Sequence, residues 1–203
     1  MEEYNAGLTA EPFLFNETRI IGKYLLSGNY SVKELRKANI EKNLIQYKTK
    51  SSISRVNKPI FNRLAVFTNE QLNYFVNGEL EQSKILLVYA IMKTDKLVRE
   101  FVREIYYDKL ITKESLIEDF ETTKWFDSKI QNSDFLSKRS DSTKYKMKQV
   151  LLQIMTASGL LKRNKNNFEI IRPLISNEVK ELLNKVNDES YYRTIGGLVW
   201  WKI

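Results

Sequence analysis

The apolar residues of this chain recur mostly with the 3.6-residue period of an α-helix. Leu14, Thr18, Ile21 and Leu25 share one face of a first predicted helix, from about Pro12 to Leu26, with "SGN" as its stop. Ser31, with Glu34 three residues on, forms a capping box that opens a second helix running to about Asn43 through Val32, Leu35 and Ile40. In "NLIQYKTKSSISRVNKPIFNRLAVF", Ile53, Val56, Ile60 and Leu64 fall on one helical face, and Arg55, Lys58 and Asn62 fall on another. Pro59 disfavours helix at Lys58, so this element is expected to kink there or to form two short helices, the second starting at Pro59. A capped helix, a turn and a basic amphipathic helix together predict a helix-turn-helix unit.

The middle of the chain predicts helices over about Asn69–Asn77, Gln82–Lys93, Lys96–Leu110 and Lys113–Ile130. In the third, Val98, Phe101, Val102, Ile105 and Tyr106 form a buried stripe, and Glu100, Glu104 and Asp108 line up outside it, facing solvent or a basic partner. Further on, "SDSTKYKMKQVLLQIMTASGLLKRNKNN" places Met147, Val150, Leu151, Ile154 and Met155 on one face of a helix over roughly 142–158. Ser140 or Ser142 caps its start and Gly159 ends it. "LLKRNKNNFEII" then reads as two short strands about an Asn-rich turn. Helix followed by a basic-tipped hairpin is the pattern of a winged helix, with a short helix at "SDFLSK" upstream and another at Asn177–Val186 downstream. The predicted fold class is therefore mostly α, a helical bundle with a C-terminal winged-helix-type hairpin. The tail "YYRTIGGLVWWKI", carrying Tyr191, Tyr192, Trp200 and Trp201, is expected to dock on the core or to offer a patch to a partner.

Composition narrows the chemistry. A chain of 203 residues with 42% apolar side chains suits one compact domain or two small ones. It has no cysteine and no histidine, which removes disulfides, thiolate chemistry, the commonest metal ligands and the usual general base. A catalytic Ser, Thr or Lys would need an activating partner, and no signature places one. Gly196-Gly197 lacks the strand and helix of a phosphate loop. "EDFETTK" (Glu118, Asp119, Glu121, Lys124) is the nearest approach to a nuclease site, but its carboxylates lie in a helical pattern that faces water. The chain is read as non-enzymatic, with no cofactor and no metal. The longest apolar run, Ile85–Met92, has eight residues against about 20 for a bilayer span, so a buried core helix, no membrane association and a cytoplasmic location are expected.

The formal charge of +8 is unevenly distributed. Residues 1–67 hold 11 Lys/Arg against 6 Asp/Glu, residues 68–130 hold 9 against 12, and residues 131–203 hold 13 against 7. These blocks suggest a basic N-terminal helix-turn-helix-like region, an acid-surfaced central helical region, and a basic C-terminal winged-helix-like region with the tail. Lys42 to Asn69 contains no acid, nor does Ser142 to Phe168. Two one-signed segments favour a polyanion, duplex DNA first, reached mainly through its phosphates. In a winged helix the helix enters the major groove and the hairpin rests on the backbone. Lys144, Lys148, Lys162, Arg163 and Lys165 are the expected C-terminal phosphate contacts, with Lys48, Lys50, Arg55, Lys58 and Arg63 as the N-terminal ones. Tyr145 and Gln149 are the candidates for base-edge contact. The competing reading is a protein adapter that docks through the acidic stripe and the aromatic tail.

Three separated segments add a resemblance: "YNAGLTAEPFLFNETRIIGKYLL", "NLIQYKTKSSISR" and "REFVREIYYDKL". In sequence character and order they resemble the BrxA family of BREX phage-defence systems, over nearly the whole chain. The resemblance implies a mostly helical, NusB-like protein that binds DNA and works alongside other BREX components, and the NusB likeness keeps RNA open as the polyanion. It supplies no active-site residues.

Overall fold

The helical period of the apolar residues is realised through most of the chain in the computed structural model, which describes Tyr4 and residues 12–198. Two compact units result: Leu14–Thr94, and the chain from Asp95 onward with Tyr4, Pro12 and Phe13. The charge blocks of the sequence cut across these units, because the acidic middle is shared between them.

The unit Leu14–Thr94 is built from five helices: α1 (Phe15–Leu26), α2 (Val32–Lys42), α3 (Lys50–Leu64), α4 (Asn69–Asn77) and α5 (Leu80–Thr94). The first begins at Phe15 and not at Pro12, since Leu14 has a left-handed backbone (φ 50°) through which a right-handed helix does not pass. The capping box of α2 forms as its sequence predicts. The Ser31 hydroxyl accepts from the Glu34 N–H at 3.3 Å and the Glu34 carboxylate accepts from the Ser31 N–H at 2.8 Å. Asn43, left-handed at φ 54°, closes the helix. Pro59 lies inside a single helix α3, so the two-helix alternative falls; its ring is buried on the face that also holds Val56 and Ile60, and that packing offsets the lost backbone bond. Helices α2 and α3 share a buried polar link in which Asn39 Nδ2 donates to Asn57 Oδ1 at 3.0 Å and Asn57 Nδ2 donates to the Arg36 carbonyl at 3.0 Å. Gly22 lets α1 approach α4 closely, since a Cβ there would stand 2.9 Å from Val76 Cγ2. Ile85 to Met92 are all buried in α5, as expected for a helix that is apolar on every side. Among the described residues no helix is long and apolar enough to cross a membrane.

The second unit opens with α6 (Lys96–Phe101), a π-helical turn (Val102–Tyr106) and α7 (Tyr107–Thr112). The sequence predicts an unbroken helix here. The π turn carries one extra residue, which rotates α7 relative to α6 and leaves Ile105 half-buried while Val98, Phe101, Val102 and Tyr106 are fully enclosed. The expected helix at Lys113 is replaced by a left-handed Lys113 (φ 61°) and a strand, β1 (Leu116–Ile117); α8 (Asp119–Gln131) begins only after it. Then come α9 (Asp134–Ser137), α10 (Asp141–Ala157), β2 (Leu161–Asn164), β3 (Asn167–Ile170), α11 (Asn177–Asn184) and α12 (Glu189–Gly196). The three strands form one antiparallel sheet in the order β1-β3-β2, with Ile117 opposite Phe168 and Leu161 opposite Ile170. In α12, Tyr192 and Ile195 are buried and Tyr191 is half-buried, while Trp200 and Trp201 lie outside the described residues.

Glu100 and Glu104 do not simply face water. Lys129 of α8 bridges both, at 2.9 Å and 2.7 Å, and Glu104 also accepts from the Trp125 indole at 2.8 Å. The Tyr4 hydroxyl donates to Glu100 at 2.6 Å. Burial alone would raise the Glu100 carboxyl, but the Tyr4 hydroxyl and Lys129 outweigh it and hold it below the usual carboxylate range. Burial would lower the Lys129 ammonium, and Glu104 and Glu100 outweigh that in turn. Tyr106, 0% exposed, shares its one hydroxyl proton between the Ile171 carbonyl at 2.7 Å and the more distant Ile195 carbonyl at 3.3 Å, tying the π turn to the end of the sheet and to α12.

Both sets of contacts bear on stability. Tyr106→Phe removes the donor from the part-buried Ile171 carbonyl and the buried Ile195 carbonyl and should cost about 1–3 kcal/mol, read as a lower urea midpoint at constant m-value; an unchanged midpoint would contradict it. Glu100 has a depressed folded-state pKa, so its contribution is fully present above the ordinary carboxylate pKa and is lost as pH falls through the depressed value. Glu100→Gln should flatten that acid limb of stability, measured by thermal melts from pH 3 to about 6.

Candidate nucleic-acid interface

Helix α10 starts at Asp141 because the Ser140 hydroxyl accepts from the Thr143 N–H at 3.3 Å, and it stops before Gly159, whose φ of 83° is left-handed. Met147, Val150, Leu151, Ile154 and Met155 are each at most 2% exposed. Their burial turns Tyr145, Gln149, Gln153 and Thr156 outward, and Tyr145 is 64% exposed. Phe168 and Leu161 anchor the hairpin through the sheet, so Lys162, Arg163 and Asn164 project from it exposed. Lys165 stands at the turn with φ 53°.

Between the outer face of α10 and the hairpin lies an open groove of about 660 Å³. Tyr145, Lys148, Gln149 and Arg163, all singled out in the sequence, line it together. So do Lys146, Gln153 and Asn166, which the sequence pattern alone did not select. Gln153 was findable, since it continues the i+4 steps from Tyr145 through Gln149; Asn166 needed the hairpin geometry. One carboxylate, Asp119 at the start of α8, also lines the groove.

The basic side chains differ in how free they are. Lys148 is bound to Asp119 at 3.1 Å and to the Thr123 hydroxyl. Lys144 is paired with Asp141 at 3.4 Å. Lys162 faces Glu169 across the strands at 3.8 Å, an exposed pair of little strength. Arg163 donates to the Lys165 carbonyl at 3.4 Å, at the long limit of a hydrogen bond.

In the other unit Lys48, Lys50, Arg55 and Lys58 are exposed on and just before α3. Arg63 is not: it is 1% exposed, among the largest enclosed side chains, and is withdrawn from the set of surface contacts. The reason is helical geometry, because seven residues are nearly two turns and Arg63 points the same way as buried Val56. Tyr47, beside Lys48, donates to Glu17 at 2.8 Å; burial first and then that carboxylate push its hydroxyl up to about 12. A second cavity of about 710 Å³, lined by Tyr24, Tyr30, Lys23 and Gln46 among others, touches none of the predicted residues.

The carboxylates of "EDFETTK" have local partners. Glu121 accepts from the Glu118 N–H at 2.9 Å and pairs with Lys109 at 2.7 Å, and Asp119 holds Lys148. Among the described residues no group of three or more acidic side chains gathers to hold a metal ion.

Comparison with known proteins gives three findings. The sequence profile of the BrxA family matches residues 2–187. The BREX protein BrxA of Bacillus cereus (strain H3081.97) is 30% identical over 194 residues, covering 96% of each chain. A crystal structure of an uncharacterized protein from Magnetospirillum magneticum superposes with a TM-score of 0.80 over 97% of this chain and 100% of that one; at 19% identity it shares the fold.

Proposed function

We propose a duplex-DNA-binding role for this chain, which belongs to the BrxA family and is a component of a BREX phage-defence system. The observation that carries the proposal is the groove between α10 and the β2–β3 hairpin, where an outward helix face and basic side chains from two elements converge. The element order supports it. Strand β1, helices α8 to α10 and then a hairpin whose second strand pairs with β1 follow the order expected of a winged helix. A helix about 10–12 Å across matches a major groove about 12 Å wide, which lets α10 enter while the hairpin lies on the backbone.

Phosphate contacts supply most of the affinity. Lys162, Arg163 and Lys165 on the hairpin are exposed and meet phosphates directly. Lys148 must first exchange Asp119 for a phosphate, so its contribution is the difference between two ion pairs. Lys48, Lys50, Arg55 and Lys58 add a second basic surface in the N-terminal unit, on the helix that α2 supports. Adapter docking through Glu100 and Glu104 is the weaker reading, since Lys129 already engages both carboxylates.

Replacing Lys162, Arg163 and Lys165 together with Ala should weaken duplex binding at least about tenfold and flatten the dependence of log affinity on log salt by up to about 0.9 per lost phosphate contact. The melting temperature should hold, because all three side chains are exposed. Unchanged affinity would remove the hairpin from the interface. Asp119→Asn should act oppositely, freeing Lys148 and tightening duplex binding several-fold at low salt; weaker binding would show that Asp119 positions Lys148 and does not compete for it.

A further inference from the structure

We infer that the outward face of α10 reads base edges, giving duplex binding a preference for adenine set by Gln149 and Gln153. The inference rests on the duplex-binding reading above and goes beyond it, because phosphate contacts carry no sequence information.

The distribution of charge around α10 points to this. Tyr145, Gln149 and Gln153 recur at i+4 spacing on the face opposite the buried residues, and Thr156 continues the line. All four are uncharged, in a helix that also carries Lys144, Lys146 and Lys148. Lys144 and Lys148 sit to one side of that line, half-buried and tied to Asp141 and Asp119, and Lys146 flanks it on the other side, exposed. The centre of the exposed face is thus left to groups that are both donors and acceptors, with the cations beside it.

The tyrosine and glutamine side chains are also uncommitted. Among the described residues, Tyr145, Gln149 and Gln153 make no side-chain hydrogen bond within the protein, whereas Thr156 returns its hydroxyl to the Leu152 carbonyl at 2.7 Å. An exposed carboxamide with no internal partner can turn to meet a ligand without breaking a bond. In the major groove adenine presents an acceptor, N7, beside a donor, the N6 amine, and one carboxamide satisfies both. Guanine presents two acceptors there and is met best by Arg or Lys; on this face the exposed cation, Lys146, stands at the edge beside Gln153 and leaves Gln149 at the centre. Gln149 and Gln153 are one turn apart, roughly 6 Å along the axis, close to two base-pair steps of about 3.4 Å. Two adenine preferences about two positions apart are therefore expected.

The test is selection of bound sequences from a randomised duplex pool by the full chain, by Gln149→Ala and by Gln153→Ala. Each is paired with titration of the selected duplex and a scrambled one. The wild-type chain should enrich adenine at two nearby positions. Each substitution should erase enrichment at one of them and cut discrimination between the two duplexes by at least about fivefold. Affinity for the scrambled duplex should fall by less than affinity for the selected one, with the salt dependence as in the wild type, an outcome that loss of folding or of phosphate contacts would not give. Enrichment of no sequence, enrichment of guanine, or a preference unchanged in both variants would overturn base reading while leaving duplex binding in place. Failure of the wild-type chain to bind any duplex would overturn both.

Discussion

Burial of the five apolar side chains of α10 is the constraint on which the proposed interface depends. Met147, Val150, Leu151, Ile154 and Met155 are withdrawn from water at about 1.5–3 kcal/mol each for large aliphatic side chains. That fixes the rotation of the helix about its own axis. The outward groups then have their places: Tyr145, Gln149 and Gln153 along the exposed face, Lys144 and Lys148 to one side and Lys146 to the other. The hairpin is held by the same means, with Ile117, Leu161 and Phe168 seating the sheet so that its basic residues are turned out.

Charge acts on this scaffold in two ways. Where acids and bases meet inside a unit, as at Glu100, Glu104 and Lys129, they consume each other and join α8 to the helical run before it. Where acids are missing, as along the hairpin tip, the positive field reaches outward. Asp119 stands between the two cases, as the carboxylate that lines the groove while holding a lysine that also lines it.

Most of the helices were legible in the sequence because their signals are local. The Ser31–Glu34 capping box, the apolar run of α5 and the five-residue stripe of α10 each decide an element without reference to anything distant. The features that were not legible depended on partners far along the chain. Strand β1 is two residues long and exists because β3, some fifty residues later, supplies its hydrogen bonds. The π turn at Val102–Tyr106 places Tyr106 against carbonyls of Ile171 and Ile195, which no helical period announces. The acidic stripe was visible as a stripe, but its occupant, Lys129, lies on another helix. Arg63 was a different kind of miss: its seven-residue spacing from Val56 marked it as inward, and the count of charges obscured that.

The convergence of Tyr145, Lys148, Gln149 and Arg163 on one groove is the observation on which the proposed duplex-DNA interface rests. The most direct measurement is a fluorescence-anisotropy titration of the wild-type chain against a mixed-sequence duplex of about 30 base pairs and a single-stranded RNA, at two salt concentrations. The account predicts tighter binding to the duplex, with log affinity falling by about 0.9 per log unit of salt for each phosphate neutralised. Absence of duplex binding at low salt, or tighter binding to the RNA, would contradict it.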